Sequence, residues 1–363
     1  MNDAWRSDFE RRLRATLSSA DGSIPVILGL CGTGRTTVLR RLQEDLGAEA
    51  CQYVNVERAA TTPERFLEAL VAASPFRPGA AAAAPTARAA YDAALTFFSE
   101  ARRADGAPAT FLLDGVLEFR TFESFPGLRR ALQELLRTLA ATPNRFVLGS
   151  RYLARASRAL AATPPFVVSA MECVEEAELS RMLAAAASPC RGASQSPGVA
   201  GPADNLAPLV GRLCAGRPAV VRALARTMAE VTGVTGDPVA ALAAGFDADG
   251  HIAAICCHTY ELRLQRARGY GALKAVLDIL AGEEPLTLTE VSQRLGRTPG
   301  STKDYLSWLE DVDLVRSEQK RYRFRDPLLR VWVRLHCRPS PPAPEEIARE
   351  VEQYASRVAP AGV

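Results

Sequence analysis

The spacing of hydrophobic positions changes several times along the chain, and each change marks an element. Trp5, Phe9, Leu13 and Leu17 recur every four residues, which predicts an amphipathic helix over 4–19. Ile24 to Leu30 is a short apolar run with glycine near its end, the pattern of a buried strand. Helical spacing returns from Thr36 to Leu46 and stops at Gly47. Gln52 to Val56 reads as a second strand, and Thr62-Pro63-Glu64 opens a helix with threonine as its cap. Phe111 to Asp114 is a third strand that ends in an acid. A helix over Leu128–Leu139, a strand over Arg145–Gly149 and a fifth strand over Phe166–Val168 follow. Strands separated by helices imply βαβ units, hence an α/β fold built on a five-stranded parallel sheet. Arg77 to Pro85 is low in complexity and reads as a loop.

After about residue 174 only helical spacing remains, interrupted by a Ser/Pro/Gly-rich loop from Ser188 to Pro202. Leu206 to Arg268 reads as a helical bundle. From Gly271 the chain reads as three helices, the last two near Thr289–Leu295 and Thr302–Glu310. Two short β segments follow, Leu314–Ser317 and Arg321–Phe324. Three helices and a hairpin predict a winged helix-turn-helix. Ser340 to Pro344 is a linker, and Glu345–Val358 a terminal helix with Ile347, Val351, Tyr354 and Val358 on one face. The expected division is a helix at 1–20, the α/β core at 21–174, a helical lid at 175–268, the winged helix at 269–338 and a tail at 339–363.

Composition narrows the class. The chain has 363 residues, of which 48% are hydrophobic and 23% charged, so it holds enough apolar surface for more than one core and is not a disordered chain. No run approaches the length of a membrane helix, and the charged start does not read as a secretory signal. A net charge of +3 is too small to mark a nucleic-acid binder by itself. All but three of the 44 basic residues are arginine, a composition bias rather than a functional signal. The eight cysteines are scattered, and the adjacent pair Cys256-Cys257 beside His258 lacks metal-ligand spacing. They read as thiols of a reducing cytoplasm.

The chemistry concentrates in three places. Gly29-Leu30-Cys31-Gly32-Thr33-Gly34-Arg35-Thr36-Thr37 has the spacing of a phosphate-binding loop, with arginine where lysine is expected. Its glycines free backbone N–H groups to cradle phosphate oxygens, and the following helix presents its positive end. Thr36 is placed to hold Mg²⁺. Arg35 keeps a positive charge, but its planar guanidinium differs from the compact lysine ammonium. It reads either as the mark of a switch with slow turnover or as a tolerated replacement in an ordinary ATPase. The second place is Asp114, the strand-end acid that would hold Mg²⁺ through water. Gly115 stands where a glutamate base often follows, and Glu118 is the next acid, either the base or a solvent-facing loop residue. The third is Ser150-Arg151 after a strand, placed to sense a γ-phosphate.

Together "GLCGTGRTT", "FLLDGVLEF", "FVLGSR" and "CAGRPAVVRAL", followed by a winged helix, resemble the STAND branch of AAA+-related P-loop ATPases. That branch includes the NACHT and NB-ARC switches and the archaeal-type ATPases. Asp114-Gly115-Val116-Leu117-Glu118 is similar to the D-G-x-D-E form of NACHT proteins, which gives Glu118 the glutamate role. "YRFRDPLLRVWVR" is similar to the winged-helix end of the archaeal-type ATPases. The resemblance implies that Gly29, Gly32, Thr33, Gly34, Arg35, Thr36 and Thr37 bind ATP or ADP. It places Mg²⁺ at Thr36 and Asp114, makes Glu118 and Arg151 catalytic, and sets Pro218 of Gly216-Arg217-Pro218 against the base. It further implies a nucleotide-controlled arrangement of core, lid and winged helix, with a protein partner or self-association.

Two rival readings stay open. In one, the chain binds DNA like replication initiators or transposition ATPases, gripping phosphates through Arg316, Lys320, Arg321, Arg323 and Arg325. Against it stand Asp304, Glu310, Asp311 and Asp313 on or beside the expected recognition helix. In the other, a degenerate ATPase serves as an interaction scaffold.

Overall fold

The computed structural model of the protein describes residues 7–19, 22–77, 84–160, 165–171, 173–187, 202–232, 236–265 and 270–359. Trp5, most of the Arg77–Pro85 stretch and nearly all of the Ser188–Pro202 loop lie outside the described residues. The described residues group into two compact units, one within Arg6–Leu30 and Gly34–Met171, the other within Glu172–Val363 together with Cys31–Thr33.

The first unit is built on five strands: β1 (Ile24–Leu28), β2 (Cys51–Asn55), β3 (Thr110–Asp114), β4 (Arg145–Ser150) and β5 (Phe166–Ala170). Every pairing is parallel and the order is β2-β3-β4-β1-β5. β1 stops at Leu28 rather than Leu30, because the chain leaves the sheet into the glycine loop. Alternating positions feed two cores. Ile27, Tyr53, Leu112 and Val147 pack with Phe9, Leu13 and Leu17 of the helix Ser7–Ser18 and with Val38, Leu39 and Leu42 of the helix Arg35–Leu46. The other face is aromatic: Phe111 stacks on Phe146 at 5.5 Å between ring centroids, and Phe98 meets Phe111 edge-on at 5.1 Å.

Caps set several helix ends as expected. The Thr62 side chain accepts from the Arg65 N–H with Pro63 in the first turn, and Gly47 ends the helix Arg35–Leu46. Sequence reading missed the helix Ala87–Glu100, the 3₁₀ segment Val116–Ser124 and the helix Leu153–Leu160.

The second unit has the helices Glu176–Ala187, Pro202–Leu213, Pro218–Thr227, Pro238–Gly245 and His251–Leu264. Then come the helix Tyr270–Gly282, strand β6 (Leu286–Thr287), helices Leu288–Leu295 and Pro299–Asp311, and strands β7 (Val315–Glu318) and β8 (Arg321–Phe324). These strands form an antiparallel sheet of order β6-β8-β7. With only two residues, β6 is too short to show a period. Arg263 is buried and donates from Nη1 to the carbonyls of Val312 (2.8 Å) and Asp313 (2.6 Å), fixing the turn into β7. Asp313 is also buried and pairs with Arg325, so it is not an acid facing outward after the helix Pro299–Asp311. Phe324 and Trp332 are buried, while Tyr305, Trp308 and Tyr322 are half-buried. The terminal helix Pro344–Val358 buries Ile347, Val351 and Tyr354, and the Tyr354 hydroxyl donates to the Leu213 carbonyl at 2.8 Å.

Candidate functional site

The loop after β1 turns on Gly32 at φ 83° and Gly34 at φ 89°, values that a side chain rarely adopts. Gly34 caps the helix Arg35–Leu46 without a side-chain hydrogen bond. The first-turn N–H groups therefore have no side-chain cap from that residue, which suits an anion.

Across the sheet, β3 delivers Asp114 to the same end, buried to 4% exposure. Arg35, also buried, turns back toward it: Nε donates to Asp114 Oδ1 at 2.8 Å, and Nη1 donates to the Gly29 carbonyl at 3.1 Å. The Thr36 hydroxyl donates to Asp114 Oδ2 at 2.6 Å, and the Tyr53 hydroxyl donates to the same oxygen at 3.0 Å. Burial, and then the Asp114 charge, push the Tyr53 phenol up, which keeps it a donor. The Arg40 guanidinium lies 3.6 Å from the centre of the Tyr53 ring. Gly149, opposite Asp114 in the β3–β4 register, leaves the space that Arg35 fills. A Cβ there would lie 3.1 Å from Asp114 Oδ1 and 3.2 Å from Arg35 Cδ and Nε.

Thus the structure brings Gly29, Arg35, Thr36 and Asp114 together. Glu118 is buried on the 3₁₀ segment behind Gly115 (φ 89°) rather than solvent-facing. Arg151 follows β4, and its guanidinium pairs with Glu57. The Ser150 hydroxyl accepts from the Tyr152 N–H at 3.1 Å, a local turn. Within the second unit, Pro218 starts its helix, and the Ala219 N–H donates to the Gly32 carbonyl at 3.1 Å. Cys31 and Gly32 line a cavity of about 560 Å³ there with Ala219, Arg222, Arg226 and His258. A larger groove of about 710 Å³ near Phe125–Arg130 is lined by none of these residues.

An apolar strand, a two-glycine loop, a helix and an acid from a strand one removed in the sheet meet where the Arg35 and Thr36 side chains both donate to Asp114. The fold is that of a P-loop ATPase. The chain is similar to the Walker-type ATPase PABY2304 of Pyrococcus abyssi, with 14% identity and a TM-score of 0.64. The likeness covers 91% of this chain and 95% of that one. At that identity it speaks to fold alone. A variant of RuvB from Thermotoga maritima is similar at 13% identity and a TM-score of 0.42, covering 88% of this chain and 91% of that one. Drosophila ORC bound to DNA is similar at 13% identity and a TM-score of 0.37, covering 88% and 90%. Neither of these two bears on the argument. No family model and no curated protein match the sequence.

Sequence reading missed Tyr53 and Gly149. A tyrosine two residues before the polar end of β2, and a glycine inside the strand run "FVLGS", were the available signals. Glycine within a strand marks a close approach.

Beyond this site, the C-terminal basic side chains are mostly paired. Arg316 and Arg323 meet Glu318, Arg321 meets Glu290, and Arg325 meets Asp313. No described helix is long and apolar enough to cross a membrane.

Proposed function

We propose that the chain is an ATP- or ADP-binding regulatory switch of the STAND type. Nucleotide state at the P-loop biases the arrangement of core, helical lid and winged helix, and hydrolysis is slow at most. The observation that carries this reading is the meeting of Arg35, Thr36 and Asp114 beside a glycine loop that opens a helix. The loop's N–H groups suit phosphates, and Gly32, Thr33, Gly34 and Thr37 are the residues that would hold them. Slow turnover draws support from Arg35, whose guanidinium is engaged by Asp114, and from Gly115 in the place of a glutamate. Glu118 as base, Arg151 as sensor and Pro218 against the base complete the reading.

The order helix, strand, two helices, two strands, helix supports reading residues 269–338 as a winged helix. Four of its five basic hairpin side chains already have acidic partners, which favours docking within the chain or onto a protein over gripping DNA. A cytoplasmic setting fits the free thiols of the described cysteines. Calorimetric titration with ATP and ADP tests the proposal: saturable binding supports it, and no binding at millimolar nucleotide returns the chain to the scaffold reading.

A further inference from the structure

P-loop ATPase folds normally seat Mg²⁺ between the loop hydroxyl and the strand-end acid. The residues present here do not suit that ion. An ionised carboxylate offers about four lone-pair sites. Asp114 uses two on Oδ2, for the Thr36 and Tyr53 hydroxyls, and one on Oδ1, for Arg35 Nε. Oδ1 itself lies close to Gly149, where an added Cβ would come within 3.1 Å of that oxygen. Hydrogen bonds from water around a hexahydrated or partly hydrated Mg²⁺ need acceptors, and three of the about four that Asp114 offers are taken. The carboxylate charge is also answered, because the Arg35 guanidinium pairs with it at 2.8 Å. A dication at this carboxylate would sit against the cation already bound there.

The seat of Arg35 is built rather than incidental. Its two ends are held by different groups, Asp114 at Nε and the Gly29 carbonyl at Nη1. The opposing strand position is a glycine that makes room for the side chain. The Tyr53 hydroxyl adds a further donor from β2, so three elements besides the P-loop helix define the arrangement.

We infer that Arg35 takes the place of the divalent cation at Asp114, so that this site binds nucleoside di- or triphosphate without requiring Mg²⁺. This rests on the nucleotide-binding reading above. The ligand class is a metal-free nucleotide polyphosphate, held by loop N–H groups and helix end, and the switch responds to nucleotide rather than to divalent metal.

The test is a calorimetric titration of the full chain with ADP and with ATP, in excess EDTA and in millimolar Mg²⁺. The wild-type dissociation constants are expected to agree within about threefold between the two conditions, a coupling below the usual allosteric range. Arg35→Lys, which releases one side of Asp114, is expected to gain about tenfold in affinity on adding Mg²⁺. Manganese EPR gives a second readout that needs no variant: with saturating ADP, the wild-type protein is expected to immobilise no more Mn²⁺ than ADP alone. If Arg35→Lys fails to fold, the manganese measurement on the wild-type chain carries the test. Wild-type affinity that rises tenfold or more with Mg²⁺, or one equivalent of immobilised Mn²⁺, overturns the inference and leaves nucleotide binding standing. No binding in either condition overturns both.

Discussion

Replacing Arg35 by methionine keeps most of the side-chain volume and removes the charge that Asp114 faces. Both partners are nearly enclosed, with side-chain exposures of 10% and 5%. Breaking one side of a buried pair costs about 3–5 kcal/mol, because the other charge is left buried. Asp114 would keep its hydrogen bonds from Thr36 and Tyr53, so the lower end applies, about 3 kcal/mol. For a unit of this size each kcal/mol moves the midpoint by about 2–4 °C, so the expected loss is about 6–12 °C. The assay is thermal unfolding followed by circular dichroism without nucleotide, on wild type, Arg35→Met, Asp114→Asn and the double variant. If the pair is buried and coupled, the double variant should cost about 2 kcal/mol less than the sum of the singles. A loss from Arg35→Met below about 1 kcal/mol, the value of an exposed pair, or an additive cycle would refute the reasoning.

Three further outcomes follow from other parts of the molecule. Arg217 holds Asp326 by two hydrogen bonds, of 2.6 and 2.9 Å, with both groups buried, and Asp326 also caps the helix Pro327–His336. Arg217→Ala should therefore cost about 3–5 kcal/mol in chemical denaturation, and Arg217→Lys should recover little, because an ammonium cannot reproduce the fork. The Arg334 fork, first by hydrogen bonding and then by charge, holds the Glu350 carboxyl below the usual 4.5. A depressed acid stabilises above its unfolded pKa, so the melting difference between wild type and Glu350→Gln should be full at neutral pH and shrink as pH falls below 4.5. Fluorescence anisotropy with a labelled duplex at low salt should read alike for wild type and for the variant lacking Lys320, Arg321 and Arg323. A wild-type affinity that falls steeply with salt and loses about three contacts' worth of slope in the variant would instead support DNA binding.

Much of the core was legible because its elements carry strong local signals. The apolar runs at Ile24, Phe111 and Arg145 and the Thr62 and Gly47 caps each mark a single position, and the strands appear within one or two residues of where those signals stand. The helix Ala87–Glu100 was harder, since its alanine-rich start follows directly on the low-complexity stretch and blurs the period. In the site, Arg35, Thr36 and Asp114 could be named from spacing, but the direction of Arg35 could not. It depends on Tyr53 and Gly149, which are brought to Asp114 only by the β2-β3-β4 order. The Arg217–Asp326 pair joins positions 109 apart, a separation over which no local pattern speaks. The basic hairpin shows the opposite failure: its sequence charge is real, but Glu318, Glu290 and Asp313 answer most of it in space.

The central claim is that the glycine loop beside Asp114 holds a nucleotide. Thermal unfolding with increasing ATP or ADP addresses it most directly, since a ligand of the folded form alone stabilises by mass action. At a concentration one hundred times its dissociation constant that stabilisation is about 2.7 kcal/mol. The account predicts a midpoint that rises with the logarithm of nucleotide concentration for both nucleotides. A midpoint that stays fixed up to millimolar ATP and ADP would contradict it.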